Sequence, residues 1–385
     1  MELMSRNLDL GHLLSGSKTK FSQLIKVATT VATVSLLAAC LPGNDDKDSE
    51  PTFQAAVSSL APFEQTSPVS ITGDVNVKFY QNIPYGKDER NYLDIYLPTS
   101  DTTTPLVIYI HGGGFTHGDK DTSELGTDIN AFLDDNIAFA SINYSLLADG
   151  TADPVGLSRS LSDTKEALQF LRNNSQQFNF DTNNVAVYGE SAGAGASLWL
   201  ALSDDMKDES SDDPLAQQST RVVAAGAIET QGSYDLVTWE TTIMPEALNF
   251  QLDLAIQLDF EWYLAGFYGI TDLKGDDLLA EIRNTENDLA EYRATVDFLS
   301  LADMEDAPIF LSNTLVPADI SDIMEGDVND AKLNALLHYP THATAVYQAA
   351  ALAGLSAIVY APQVGQDTAN GLTVVEFLKD HLNVD

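Results

Sequence analysis

"VAVYGESAGAGASLWLAL", Val185 to Leu202, carries a short apolar run into a glycine, a glutamate, a serine and a string of small residues, then into a helical pattern. An apolar run closed by Gly189 suits a buried strand, and the Ala/Leu-rich segment after it suits a helix. A serine between the two, in the G-x-S-x-G of Gly189, Glu190, Ser191, Ala192 and Gly193, is held on a sharp turn at the end of the strand. The helix N-terminus behind it favours developing negative charge. Ser191 is thus a candidate nucleophile, and the chain must supply a group to take its proton.

Outward from this stretch the same rhythm repeats. Apolar runs lie at 105–110 (PLVIYI), 137–144 (IAFASINY), 222–228 (VVAAGAI), 308–312 (PIFLS) and 356–361 (SAIVYA), with "VNVKFY" and "YLDIYLP" as opening strands. Unbroken apolar runs suit strands covered on both faces, hence a mainly parallel sheet. The intervals are long enough for crossover helices. In "LSRSLSDTKEALQFLRNN", Leu157, Leu161, Thr164, Leu168 and Leu171 form one face. "THATAVYQAAALAG" (341–354) and "VVEFLKDHL" (374–382) read as two more helices. The alternation predicts a doubly wound α/β domain. Residues 234 to about 305 offer no strand between two expected strands and are strongly apolar over 250–269. They read as a helical cap inserted over the sheet. The acidic runs at 203–213 and 326–330 lack the ligand spacing of an EF-hand loop and read as solvated loops.

The formal net charge of −38 repels phosphate backbones, which argues against a nucleic-acid partner. One cysteine, Cys40, excludes an intramolecular disulfide and a Cys-based metal site. Lys18, Lys20 and Lys26 precede "VATTVATVSLLAAC", a run too short and too rich in Thr and Ser for a comfortable membrane span. Leu37-Ala38-Ala39-Cys40 resembles the bacterial lipobox, which implies cleavage before a lipid-modified Cys40. Leu41 after the cysteine, by resemblance to the sorting rule, implies the outer membrane. The expected organisation is a signal peptide over 1–39, a flexible tether over 40–69 and the α/β domain with its cap insertion at about 234–305 over 70–385, held to the membrane only by its N-terminal lipid. A Cys40→Ser variant is expected to lose membrane association, and equal membrane partitioning of the two proteins would count against the anchor.

"HGGGF", His111 to Phe115, directly follows the run at 105–110. Consecutive glycines leave backbone N–H groups open to an oxyanion. Gly113 and Gly114 are the candidate donors, with Ala192 as the third. With both motifs in place the chain resembles α/β-hydrolases of the carboxylesterase kind, near the HGGG-bearing hormone-sensitive-lipase and feruloyl-esterase-like group, from Val75 to Asp385. "NYLDIYLP", "PLVIYIHGGGF", "ALQFLRNNSQQFNFDTNNVAVYGESAG" and "VVEFLKDHL" carry the likeness. It implies a serine esterase of the α/β-hydrolase fold, acting on a small-molecule ester without metal or organic cofactor.

The resemblance also implies the order Ser, Asp or Glu, His, with the histidine after the last strand. That loop, Ala361 to Leu372, holds no histidine; Gln366 and Asp367 stand about where one is expected. His12 leaves with the leader. His111 reads as a structural residue of the glycine loop, His117 as a residue lining or gating the pocket, and His381 as an exposed residue of the final helix. His338 and His342 in "LLHYPTHATAV" remain, before a helix whose N-terminus lies at the nucleophile's edge of the sheet. His338, with more freedom to point inward, is the first choice of base. His342 lies in the first helical turn, where the dipole would keep it neutral. A chain with no functional base is the third possibility. For the acid, "SNTLVPADISD" offers Asp319 first and Asp322 second. Two functions stay open: an esterase working through Ser191, Asp319 and His338, with an apolar cap that suits a hydrophobic or aryl acyl group, or a hydrolase-fold protein without catalysis that serves as a surface binding module.

Overall fold

The computed structural model describes residues 67–73, 75–121, 123–147, 153–244, 250–257, 260–286, 288–315 and 330–383. The leader, Cys40 and nearly all of the expected tether lie outside these residues, as do Asp319 and Asp322.

Nine strands form one sheet: β1 (Val77–Pro84), β2 (Tyr92–Pro98), β3 (Thr104–Ile110), β4 (Ala138–Ile142), β5 (Phe180–Glu190), β6 (Ala225–Ile228), β7 (Ile309–Ser312), β8 (Ala357–Ala361) and β9 (Gln366–Asp367). Their order is β1-β2-β4-β3-β5-β6-β7-β8-β9. The pairs from β4 across to β8 are parallel, and β1–β2, β2–β4 and β8–β9 are antiparallel. β3 and β4 are buried at every position, as unbroken apolar runs between two helical layers must be.

The longer helices are α1 (Gly126–Leu133), α2 (Ser158–Asn173), α3 (Ala192–Leu202), α4 (Glu261–Tyr268), α5 (Asp330–Leu337), α6 (Thr341–Ala353) and α7 (Val374–His381). Leu161, Thr164, Leu168 and Leu171 of α2 are buried, as their spacing predicts. α3 buries every residue except Trp199, which suits a helix at the centre of the molecule. α7 starts with a capping box between Thr373 and Glu376. Against the other face of the sheet, Phe132 of α1 and Phe377 of α7 join Tyr109, Phe139 and Tyr188 in one cluster.

Between β6 and β7 the described residues contain helices and no strand. Two arginines tie this insert together. Arg293 makes a forked contact with Asp235, at 3.0 and 2.8 Å, and Arg283 Nη2 reaches Glu240 and Asp253, each at 2.6 Å.

Three local features depart from the sequence reading. α5 is a helix where a loop is expected. After β8 the chain turns through Pro362–Val364 straight into β9, so Gln366 pairs with Ala361 and Asp367 with Tyr360. A tight hairpin thus takes the place where the resemblance puts a histidine. His381 is half-buried rather than exposed, because its ring folds back on Phe377 with centroids 4.4 Å apart and Nδ1 meets the Phe377 carbonyl at 2.8 Å.

Candidate active site

β5 ends and α3 begins at Ser191, whose φ of 52° and ψ of −119° lie far from the usual regions for a residue with a side chain. The strain is held from both sides. Ser191 N–H donates to the Ile228 carbonyl of β6 (2.9 Å), and its own carbonyl accepts from Ala194 (2.9 Å) and Gly195 (3.2 Å). A side chain on Gly193 would run into the Ile110 carbonyl, and one on Gly189 into the Gly193 backbone. The two glycines of the motif thus let α3 settle against β3 and β5, with the serine raised between them.

His338 follows the last residue of α5 and is almost fully buried. Its Nε2 lies 2.9 Å from Ser191 Oγ. Nδ1 faces two acceptors on Asn334, the side-chain Oδ1 at 2.9 Å and the main-chain carbonyl at 3.2 Å. With acceptors at Nδ1, the ring carries its proton there and leaves Nε2 unprotonated towards Ser191 Oγ. Burial pushes the His338 pKa down to about 4, against the smaller upward effect of the hydrogen bond to Asn334, so the ring is neutral at pH 7. The Asn313 amide nitrogen reaches both the His338 carbonyl (3.4 Å) and the Thr230 carbonyl (2.9 Å), which ties the histidine to the ends of β6 and β7.

His342 takes no part in this pairing. Its Nδ1 accepts from Gly232 N–H (3.0 Å), its Nε2 meets the Leu336 carbonyl (2.9 Å), and its ring meets Trp239 edge-on. Burial first, rather than the helix dipole, brings its pKa down to about 3.

The glycine loop lies against Ser191: a Cβ on Gly112 would sit 3.2 Å from Ser191 Cβ. The loop is bent by the Gly113 carbonyl, which accepts from Thr116 N–H (3.0 Å) and His117 N–H (3.2 Å). Among the described residues nothing accepts from the N–H groups of Gly113, Gly114 or Ala192. His111 braces the loop from below, with Nδ1 donating to the Gly112 carbonyl (2.7 Å) and its ring stacked on Tyr144 at 4.3 Å. Burial brings its pKa down to about 4. His117 stands beside Thr116, Nδ1 to Oγ1 at 3.2 Å. Arg90 secures the outer side through Nη2 to the Gly118 carbonyl (2.8 Å).

Two residues of this neighbourhood escape the sequence reading. Asn334 sits four residues before His338, a relation that emerges only once α5 is known to be a helix. Glu229, directly after β6 in "AIETQG", is buried with φ 53°. Its Oε1 accepts from Thr314 N–H (2.6 Å), Thr314 Oγ1–H (3.0 Å) and Leu315 N–H (3.2 Å), and burial raises its pKa to about 7. A glutamate at the C-terminal end of a central strand is the signal that marks it. Among the described residues no three His, Cys, Asp or Glu side chains are grouped as a metal site requires.

A family model described as BD-FAE matches residues 93–256, from β2 through α3 into the helical insert. A probable isoprenylcysteine alpha-carbonyl methylesterase of Arabidopsis thaliana is 31% identical over 158 residues, which is 40% of this chain and 35% of that protein. The juvenile hormone esterase of Tribolium castaneum is 29% identical over 121 residues, 29% of this chain and 20% of that one. The chain therefore spans about a third or less of the length of these relatives. Among solved structures, a truncated form of a carbohydrate esterase from gut microbiota superposes with a TM-score of 0.50 at 16% identity, over 79% of this chain and 96% of that one. The bifunctional GH43-CE of Bacteroides eggerthii gives a TM-score of 0.51 at 17% identity, over 79% of this chain and 35% of that one. With the mainly parallel sheet in the order above, helices on both faces and a strained serine between β5 and α3, the chain has the α/β-hydrolase fold.

Proposed function

We propose that the protein is a serine hydrolase of carboxylic esters, with Ser191 as nucleophile, His338 as base and the Gly113, Gly114 and Ala192 amides as the oxyanion hole. The observation that carries this reading is the 2.9 Å contact between Ser191 Oγ and the free Nε2 of a neutral imidazole. Oγ adds to the ester carbonyl carbon while its proton passes to Nε2, and the carbonyl π pair moves onto oxygen, beside the open N–H groups. When the pair returns, the C–O bond to the alcohol breaks and Nε2–H protonates the leaving oxygen. Water then adds to the acyl-serine, giving its proton to Nε2. Collapse of this second adduct breaks the bond to Oγ, returns the proton to the serine and frees the acid. The esterase names of the sequence relatives support the same chemistry. The apolar insert between β6 and β7 favours a hydrophobic or aryl acyl group. Labelling of the purified protein by a fluorophosphonate, lost in Ser191→Ala, tests the reading; no labelling of the wild type would overturn it.

The binding-module alternative drew on the missing histidine after the last strand. With an imidazole beside the serine from α5, that ground is gone. The lipid anchor at Cys40, with attachment to the outer membrane, belongs to the same proposal, and the Cys40→Ser experiment tests it.

Among the described residues Asn334 supplies the acceptors that face His338 Nδ1, and Asp319, the expected acid, lies outside them. An amide holds the tautomer but adds no negative charge to stabilise an imidazolium. Asn334→Ala still leaves its main-chain carbonyl near Nδ1, so the ring keeps one acceptor. The expected loss in kcat is therefore about 10- to 100-fold, less than the ~10⁴-fold found where the tautomer itself is lost. Asn334→Asp is expected to raise the kinetic pKa of the base. A pH–rate profile of both variants checks this, and an Asn334→Ala enzyme as slow as a serine knockout would contradict it.

A further inference from the structure

A phenol borders the open space beside the glycine loop. A carbon added to Gly114 would have only two atoms within 4.0 Å: Thr116 Oγ1 and Tyr263 Oη, each at 4.0 Å. The space over Gly114 is otherwise open, and two hydroxyls border it. Thr116 has spent its hydrogen on the Gly113 carbonyl (3.2 Å). Tyr263 has not: among the described residues its hydroxyl has no hydrogen-bond partner.

Tyr263 belongs to α4, in the helical insert. Its ring packs at 5.3 Å from Phe267 and 5.9 Å from Phe260 and Trp262. Phe267 in turn lies edge-on to Phe115, the residue after Gly114, at 6.3 Å. α4 is thus fixed to the glycine loop by aromatic contacts that a phenylalanine at 263 would make equally well. The hydroxyl adds nothing to that packing; Tyr263 is half-buried, and its oxygen borders the open space over Gly114, where the acceptor of a bound molecule would meet it.

We propose that Tyr263 Oη donates a hydrogen bond to the substrate's carbonyl oxygen as that oxygen becomes negative, a fourth donor beside the Gly113, Gly114 and Ala192 amides. This rests on the esterase reading above. A carbonyl oxygen seated on the Gly113 and Gly114 amides would lie beside the space that the phenol borders. Burial raises the phenol's pKa well above the ordinary value, so it keeps its proton and has it to donate. The oxyanion hole is then shared between the sheet edge and the insert, and full activity requires α4 in place.

The test is Tyr263→Phe, which keeps the ring contacts. With p-nitrophenyl butyrate, kcat is expected to fall about 10- to 100-fold with KM within about threefold, less than the 10²–10³ for the loss of a sole side-chain donor because three amides remain. The Ki of a trifluoromethyl ketone, whose adduct carries the oxyanion, is expected to rise by the same factor, and the Ki of butyrate to stay constant. A kcat within twofold of wild type, with hydrolysis still abolished by Ser191→Ala, overturns this inference and leaves the esterase reading standing. An equal loss of butyrate affinity makes Tyr263 a ground-state contact and also overturns it. Hydrolysis that survives Ser191→Ala overturns both.

Discussion

Ser191→Ala is expected to bring hydrolysis of a short p-nitrophenyl ester to background, a loss of roughly four to six orders of magnitude. The size of the effect follows from the chemistry proposed: without Oγ no acyl-enzyme forms, and the amides left behind can stabilise only direct attack by water. The fold should survive. Ser191 already sits at a turn fixed by its own N–H and carbonyl, and neither bond involves the side chain. Alanine accepts the φ of 52° no less readily than serine does. Circular dichroism should therefore match wild type while the rate is lost. Activity within tenfold of wild type would place the hydrolysis elsewhere.

His338→Ala should cost nearly as much, because a nucleophile and its base act as a unit. The control is His342→Ala. That substitution strips partners from the buried Gly232 N–H and the Leu336 carbonyl, and should lower stability by about 2–4 kcal/mol. In the fraction that stays folded, kcat should fall far less than in His338→Ala. The pH profile gives a second check. With the His338 pKa near 4, the base is neutral at every pH well above that value, so kcat/KM should stay level from neutrality down to about pH 5 and fall below about 4. An ordinary histidine would begin to lose activity near 6.5. The acid limb has to be measured on folded protein. His111, His338 and His342 are all held neutral in the fold but charge in the unfolded chain below pH 6.5, so their contribution to stability is lost as the pH falls from about 6.5 towards 4. Equal losses in His338→Ala and His342→Ala, or an acid limb near 6.5, would contradict the assignment.

The parts of the molecule that could be read from the sequence are those in which packing leaves one choice of residue. Gly189 and Gly193 stand where backbone meets backbone, and the runs that became β3, β4 and the C-terminal half of β5 are mostly apolar because both faces are covered. His338 could be reached only by eliminating the other histidines. Asn334 was out of reach for a different reason. Its segment, "DAKLNALL", is eight residues long and follows an acidic run that reads as loop, so the four-residue relation to His338 had no helix to rest on. Glu229 gives no periodic signal at all. Its burial results from the way β6 and β7 converge, a property of the assembled sheet. The state of His342 was foreseen but not its cause: a ring wedged between Gly232 and Trp239 is governed by what surrounds it in space, and its place in the first helical turn matters less.

Because His338 directly follows α5 and the last turn of that helix holds the acceptors that face its Nδ1, a single helix end sets the tautomer and aim of the imidazole. In an arrangement with a separate acid loop, three segments have to be brought into register before the imidazole points anywhere useful. Here the imidazole and its described acceptor form a two-residue cartridge whose internal alignment is inherited from the 3.6-residue repeat, held from outside by the serine and by the Asn313 amide. With the imidazole beside the serine supplied from the end of α5, the hairpin after β8 needs no more than the few residues that join β8 to β9.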